Sequence, residues 1–224
     1  MIKTLASGSS GNCYALCDGK STILLECGLQ IKKTLELLNW KLPDAILLTH
    51  EHGDHSRSAK KFLKRGVELY TTAGTADALN LQPGLHNLRY IRSYETFEVC
   101  GHKVLPLPVD HDAAEPVCFV IDGEILFVTD AGTIRHLRGQ YKKVYVEANY
   151  DLNLLRYSEI DEAQRVRILQ NHLSIVQVKE FLRNLFGKPE EVVLLHISKR
   201  HGDPQEFVRQ VKAATGVENV KAAK

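Results

Sequence analysis

The chain has 224 residues, of which 44% are hydrophobic and 25% are charged. This composition is typical of a globular protein with a core of its own, and it excludes disordered and fibrous proteins. Because 29 Lys and Arg face 27 Asp and Glu, the formal net charge is only +2, which excludes a protein that binds nucleic acid by overall charge alone. The length predicts a single domain over residues 1–224.

The sequence predicts a cytoplasmic protein without a membrane partner. No apolar run approaches the ~20 residues of a membrane-spanning helix, and the first residues lack an apolar segment behind a basic start. The five Cys residues form no C-x-x-C pair, and we interpret them as buried thiols.

The N-terminal part of the chain alternates between strand and helix patterns. Asp18-Gly19 between YALC and STILL predicts a hairpin, and helical periodicity follows from Leu29 to Trp40. The run AILLT predicts a strand over 45–49, the next helix is expected from Ser56 to Lys64, and VELYT predicts a strand over 67–71.

The C-terminal part repeats this alternation. Two further turn dipeptides predict hairpins, Cys100-Gly101 and Asp122-Gly123. The segment before Asn171-His172 is helical in pattern and then breaks, which often marks a site. The remaining predicted elements are strands over 143–147 and 192–196 and helices from Ser174 to Phe186 and from Pro204 to Ala214, whose starts carry capping residues.

Hairpins near the N-terminus and again in the middle, each followed by helices, predict the fold class. We expect an α/β protein in which two sheets pack together with helices outside, a four-layer αββα sandwich of two mixed sheets. No repeat, low-complexity tract or linker interrupts the pattern.

The most informative segment is the block from His50 to His55, HEHGDH, directly after the strand over 45–49. Burying three imidazoles and a carboxylate without partners would cost on the order of several kcal/mol, so the block predicts metal ligands. In an extended stretch residues i and i+2 point the same way, and His50 and His52 can therefore bind one ion while Asp54 and His55 face a second. Imidazole and carboxylate suit Zn²⁺, with Mn²⁺ and Fe²⁺ as alternatives.

Two complete sites need ligands from other segments. His111 follows the strand VLPLPVD, Asp130 ends ILFVT, and His196 ends VVLL. Each of these residues lies where an apolar strand stops, which is where rigid elements present side chains to a site.

These motifs, in this order from about residue 22 to 196, resemble the metallo-β-lactamase fold superfamily. The segments that further resemble its YycJ/WalJ-type branch, related to the RNase Z and RNase J nucleases, are the opening SGSSGN at 7–12, His111-Asp112 before Pro116, Glu147-Ala148-Asn149 and His172-Leu173-Ser174.

The resemblance implies the metallo-β-lactamase sandwich and a pair of metal sites. It implies that His50, His52 and His111 hold one metal, that Asp54, His55 and His196 hold the other, and that Asp130 bridges the two. Two positions depart from the family pattern: Glu26 stands where the family usually has Asp, and Tyr150 follows Asn149 where relatives often have His.

Two divalent ions ~3.5–4 Å apart can share a hydroxide and stabilise both oxygens of an in-line displacement, which describes phosphodiester hydrolysis. We therefore predict a dinuclear-metal phosphodiesterase, most simply a nuclease acting on DNA or RNA. Asp54 and His172 are the predicted catalytic residues, the latter as general acid or phosphate contact. The predicted substrate contacts are Ser174, Ser198 and Lys199.

Several alternatives stay open from the residues alone. Only 7% of residues are aromatic, without interleaved basic residues, so a phosphodiesterase for small or cyclic nucleotides competes with a nuclease. A thioester or lactone hydrolase would use the same metals, whereas a non-catalytic module is disfavoured because all seven ligand positions are filled. A homodimer is expected only because relatives are often dimeric.

Overall fold

The computed structural model describes residues 2–81 and 84–223, in which the chain divides into two compact units. The first unit runs up to Pro108 and includes Ala113–Val117, and the second comprises Val109–Asp112 and Cys118–Ala223. The single domain expected over 1–224 stays a prediction. Within the part of the chain described, no helix has the length and apolar character that crossing a bilayer requires.

The first unit contains a six-stranded sheet. Its elements are β1 (Ile2–Ala6), β2 (Cys13–Cys17), β3 (Thr22–Leu25), α1 (Ile31–Leu37), β4 (Ala45–Leu47), α2 (Gly53–Ser56), α3 (Ala59–Leu63), β5 (Glu68–Thr72), α4 (Ala73–Ala78), β6 (Leu88–Ile91), β7 (Phe97–Val99) and β8 (His102–Pro108). The sheet order is β1-β2-β3-β4-β5-β6, antiparallel up to β3 and parallel from β3 onward. β7 and β8 form an antiparallel hairpin, as predicted at Cys100-Gly101.

The second unit contains a sheet in the order β13-β12-β11-β10-β9. Its elements are β9 (Val117–Ile121), β10 (Ile125–Val128), β11 (Lys143–Glu147), α5 (Leu152–Arg156), α6 (Glu162–Asn171), α7 (Ile175–Arg183), β12 (Glu191–Leu195), α8 (Pro204–Thr215) and β13 (Val220–Ala222). β9 and β10 form the predicted antiparallel hairpin, with Asp122 and Gly123 both at positive φ, and the remaining pairs are parallel.

The helix boundaries follow the local chemistry of the sequence. Ser174 and Gln177 form the predicted capping box of α7, and Asp203 caps α8 with Pro204 in the first turn. α6 ends where the break was predicted, because His172 is extended. The helix expected from Ser56 to Lys64 is instead two short helices, α2 and α3.

That difference bears on the ligand block. α2 begins at Gly53, because the carbonyl of His52 accepts hydrogen bonds from the backbone N–H groups of His55 and Ser56, at 2.9 Å each. Asp54 and His55 therefore project from a helical turn, whereas His50 precedes it in extended chain.

The cysteines only partly match expectation. Cys13, Cys27 and Cys118 are buried, but Cys17 and Cys100 are exposed. The prediction of buried thiols is wrong for these two because Cys17 ends strand β2 next to a turn and Cys100 lies in the turn between β7 and β8.

The ligand block packs against the backbone of Gly28. A Cβ at Gly28 would lie 1.6 Å from the carbonyl oxygen of Asp54, too close for any side chain. The backbone N–H of Gly28 also donates to the carbonyl of Asn12, at 2.9 Å. The first strands of the unit thus hold the ligand block from behind.

Gly28→Ala is expected to destabilise the protein by about 3 kcal/mol or more, because the atoms that would have to move are backbone atoms. Urea unfolding followed by circular dichroism measures this. Gly53→Ala in the same block is the matched control, since nothing lies within 4 Å of its Cβ position and it should stay within about 0.5 kcal/mol of the parent. Equal stability of the two variants would contradict the close approach.

Candidate metal-ligand clusters

In the first unit the predicted ligands of the HEHGDH block lie together. The ring centroid of His50 is 4.8 Å from that of His52 and 4.1 Å from that of His55. His50 and His55 are buried, and His52 and Asp54 are partly accessible. Asp54 Oδ2 lies 3.5 Å from His55 Nε2.

A chain of hydrogen bonds fixes the tautomer of His50. The Thr49 hydroxyl donates to Glu26 Oε1 at 2.5 Å, and its only proton is thereby used. His50 Nδ1, 2.8 Å from the same hydroxyl oxygen, must therefore donate to it. This leaves the lone pair of the imidazole on Nε2, the form in which it can bind a metal ion.

Glu26, the position that departs from the family pattern, contacts the ligand block with its longer side chain. The residue is fully buried and has a φ of 67°. Besides accepting from Thr49, its Oε1 lies 3.6 Å from His55 Nδ1. Glu in place of Asp therefore keeps a carboxylate against the ligand block.

Asn12 is a residue that the sequence did not single out. Its amide nitrogen donates to His55 Nε2 at 3.0 Å and to Asp54 Oδ2 at 3.3 Å, while its amide oxygen accepts from the N–H of Gly8 at 2.9 Å and from the hydroxyl of Tyr14. The SGSSGN segment thus presents a buried amide to the ligand block. No periodicity signals this; only the resemblance of the segment to the family motif pointed to it.

In the second unit three predicted ligands gather at the strand ends. His196 Nδ1 lies 2.7 Å from Asp130 Oδ1, and His111 Nε2 lies 3.8 Å from Asp130 Oδ2. His111 Nδ1 donates to the carbonyl of Asn171 at 3.0 Å, which again leaves the lone pair on Nε2. Burial lowers the pKa of His111 and favours this neutral form.

Glu147, at the end of β11, lies at the centre of this cluster. Its Oε1 accepts from His172 Nδ1 at 2.6 Å and from His196 Nδ1 at 3.0 Å, and its Oε2 accepts from the backbone N–H of Leu173 at 3.1 Å. Burial works against the charge of Glu147, but the two imidazoles hold its pKa below the usual range. Its position after an apolar strand is the same signal that identified Asp130, so the sequence could have found it.

His172 is positioned by the end of α6, where the chain becomes extended. Burial of the ring disfavours protonation, but the charge and hydrogen bond of Glu147, with Asp130 Oδ2 3.9 Å away, raise the pKa of His172 overall. The atoms of Asp130, Glu147, His172 and His196 that could bind a metal ion all lie within 4.8 Å of one another.

Two of the three predicted substrate contacts, Ser174 and Ser198, already form hydrogen bonds with neighbouring residues of the chain. The Ser174 hydroxyl takes part in the capping box of α7, and Ser198 Oγ accepts from the backbone N–H groups of Arg200 and His201 at 3.3 and 3.2 Å. Lys199 is exposed. Contact of these residues with substrate stays a prediction.

The donor chemistry fits a divalent metal ion. His50, His111 and His196 each direct Nδ1 at a protein oxygen, so each presents Nε2 as a ligand atom. A carboxylate also lies beside an imidazole in each unit, Asp54 beside His55 in the first and Asp130 beside His196 in the second. Imidazole nitrogen and carboxylate oxygen together are the ligands that Zn²⁺ and Mn²⁺ accept.

Comparisons with known proteins agree with this chemistry. Residues 6–69 match the family model of the metallo-β-lactamase superfamily. The chain is 30% identical over 224 residues to exodeoxyribonuclease WalJ of Streptococcus pneumoniae (strain D39), covering 88% of this chain and 81% of the relative. It is 28% identical over 186 residues to exodeoxyribonuclease YycJ of Bacillus anthracis, covering 76% and 70%.

A solved structure shows the same fold. The metallo-β-lactamase fold protein YhfI of Bacillus subtilis superposes with a TM-score of 0.78 at 15% identity, over 100% of this chain and 95% of the other. Two mixed sheets with helices, as predicted, thus define an α/β protein of the metallo-β-lactamase type. The chain belongs to the metallo-β-lactamase superfamily, in the branch of the WalJ and YycJ proteins, and both the fold class and the resemblance are confirmed.

Glu147→Gln is expected to weaken metal binding or activity about 10–100-fold, because the neutral amide no longer holds His172 and His196 with a charged acceptor. Isothermal titration with Zn²⁺ and metal analysis of the purified protein measure the effect. The exposed Glu190 provides the control substitution Glu190→Gln in the same unit. Parent-like metal affinity and rate in Glu147→Gln would contradict the assigned role.

Proposed function

We propose that the protein is a metal-dependent exodeoxyribonuclease. The coarser prediction, a metal-dependent hydrolase of the nuclease class, is confirmed by relatives that carry the name exodeoxyribonuclease. DNA as the substrate, rather than RNA, is carried over from those names. The observation that carries the proposal is the hydrogen bond of His172 to the buried Glu147, beside Asp130 and His196.

The family implies divalent metal ions, and their number and identity belong to the proposal. We assign two ions, Zn²⁺ first and Mn²⁺ second, to the seven residues that match the family pattern: His50, His52, Asp54, His55, His111, Asp130 and His196. When bound, such ions lower the pKa of a water molecule toward neutrality and polarise a phosphodiester.

His172 supplies the proton in this proposal. Glu147 accepts a hydrogen bond from Nδ1 and its charge raises the pKa of His172, which favours the protonated imidazole that can pass a proton from Nε2 to the departing oxygen. Glu147 fixes the ring orientation, and the fully buried carboxylate is inaccessible to water. The protonated ring also offers positive charge to a phosphate oxygen.

A carboxylate at position 130 favours phosphodiester chemistry over lactam hydrolysis, in which many enzymes of the superfamily use Cys at the second metal. The second candidate is a phosphodiesterase for small or cyclic nucleotides, favoured by the balanced net charge of +2. Thioester or lactone hydrolysis ranks below both.

A cytoplasmic location and a homodimer stay predictions. Light scattering of the purified protein tests the homodimer.

The decisive assay uses protein reconstituted with Zn²⁺ or Mn²⁺ against linear DNA, structured RNA, cyclic mononucleotides and a thioester. We expect hydrolysis of DNA from its ends and loss of activity on chelation with EDTA, restored when metal is added back. If the protein hydrolysed the thioester and left DNA and RNA uncleaved, the proposal would be rejected. Turnover of cyclic mononucleotides alone would favour the second candidate.

Asp54→Ala should abolish turnover of every substrate, because it removes a proposed ligand and one of the two acceptors of the Asn12 amide nitrogen. Metal analysis should show lower metal content in this variant. Asp77→Ala, at a solvent-exposed position of α4, is the control. Full activity of Asp54→Ala would exclude the residue from the site.

His172→Ala should slow phosphodiester hydrolysis about 10²–10⁴-fold, the usual contribution of a general acid. Substrates with a good leaving group, such as bis(p-nitrophenyl) phosphate, need less protonation and should lose less. The exposed His86 gives the control substitution His86→Ala. Equal losses on both kinds of substrate would show that His172 acts on something other than the leaving group.

A further inference from the structure

The turn between α5 and α6 displays an aromatic side chain that the proposed chemistry does not use. Tyr157 follows α5 directly and is 80% exposed. Leu154, three residues earlier and therefore on the same helix face, is 47% exposed. Of the five residues of α5, Leu155 alone is buried.

This turn is held in place by one buttressing side chain, Arg165. Its guanidinium donates to the backbone carbonyls of Leu155, Arg156, Ser158 and Ile160. Five fixed N–H donors make Arg, unlike Lys, able to satisfy several carbonyls at once. The backbone on both sides of Tyr157 is therefore fixed, and its ring is presented from a rigid support.

The two faces of the Tyr157 ring differ. The guanidinium carbon of Arg156 lies over the ring, 5.9 Å from its centroid, in a cation–π contact. The exposure of the side chain leaves the remainder of the ring accessible to a planar ligand. Although the aromatic content of the sequence is low, this pair combines a basic and an aromatic residue at one place.

The turn is connected to the cluster of the second unit. Tyr150 pairs with Ser174, two residues after His172, and the N–H of Asp151 donates to the carbonyl of His201 at 2.7 Å. The latter lies on the loop that follows His196. With a rise of about 1.5 Å per residue, Tyr157 lies about 9 Å along the chain of α5 from Asp151.

We propose that Tyr157, backed by Arg156 and supported by Arg165, is a stacking platform for a base of single-stranded DNA. This inference rests on the proposed function and specifies its substrate: a strand whose bases are unpaired near the end being cut. Base–aromatic stacking is tolerant of sequence, because every base has a π-face.

Stacking rather than charge supplies the affinity at this place. Arg156, Arg165 and Arg200 are basic, and burial together with the positive charges of Arg200 and Arg165 lowers the pKa of His201. Acidic groups offset them, however: Glu162 lies 3.4 Å from Arg165, and Asp161 caps α6. The contribution of Tyr157 should therefore change little with salt, unlike that of a phosphate contact.

The test measures binding of a short, 5′-labelled single-stranded DNA to metal-free protein in EDTA, by fluorescence anisotropy. Tyr157→Ala should weaken binding about 5- to 150-fold, the range for loss of one stacked base, whereas Tyr157→Phe should retain it. Phe186, in the same unit and 75% exposed, gives the matched control Phe186→Ala, which should bind like the parent. DNA carrying 2-aminopurine should show quenching by the parent that Tyr157→Ala loses.

The outcomes separate this inference from the proposed function. If metal-free parent protein binds single-stranded DNA through Tyr157 while the metal-loaded protein cleaves no nucleic acid, the platform stands and the nuclease proposal fails. If Tyr157→Ala binds within twofold of the parent, the platform is overturned. It is also overturned if Tyr157→Ala alters the oligomeric mass measured by light scattering and leaves DNA binding unchanged. The surface around Tyr157 is then a contact between copies of the chain.

Discussion

The candidate ligands depend on one recurring interaction, the hydrogen bond from an imidazole Nδ1 to a protein oxygen. His50 donates to the hydroxyl of Thr49, His111 to a backbone carbonyl, and His196 to the carboxylate of Glu147. Each bond fixes the orientation of the ring and keeps the proton on Nδ1, which leaves the lone pair on Nε2. The buried acids Glu26 and Glu147 support two of these rings, and their burial is tolerable only because every such acid has donors around it.

The strands provide the rigidity that these bonds require. Thr49 and His50 directly follow a fully buried stretch that includes β4, Glu147 ends β11, and His196 follows β12. Because strand ends of a parallel sheet lie at one edge, β11 and β12 bring their terminal side chains together without help from a long loop. In the first unit, the close approach of Gly28 to the backbone of Asp54 provides the corresponding rigidity.

The sequence predicted the elements whose signals are local. The hairpin at Asp122-Gly123 and the capping box at Ser174 were found because a turn or cap is decided by a few neighbouring residues. The candidate ligands at 111, 130 and 196 were singled out because acids or imidazoles after apolar strands are uncommon, and their binding of a metal ion stays a prediction. Glu147 carried the same signal, whereas Asn12 acts over 42 residues of chain on Asp54, a separation at which no pattern in the sequence reports contact. α2 and α3 were merged because the backbone of His52 starts a turn that periodicity does not reveal.

Burial of Cys13 and Cys27 has a consequence for the durability of the protein. Burial raises the pKa of Cys13 to about 12 and that of Cys27 well above its usual value, while the N–H of Cys27 donates to the carbonyl of His55. Both sulfurs stay protonated at physiological pH, and a protonated thiol is a poor nucleophile toward peroxide and a poor rival for soft cations. The buried sulfur atoms next to the HEHGDH block are therefore unreactive. Oxidants react first with the exposed thiols of Cys17 and Cys100 at the hairpin turns.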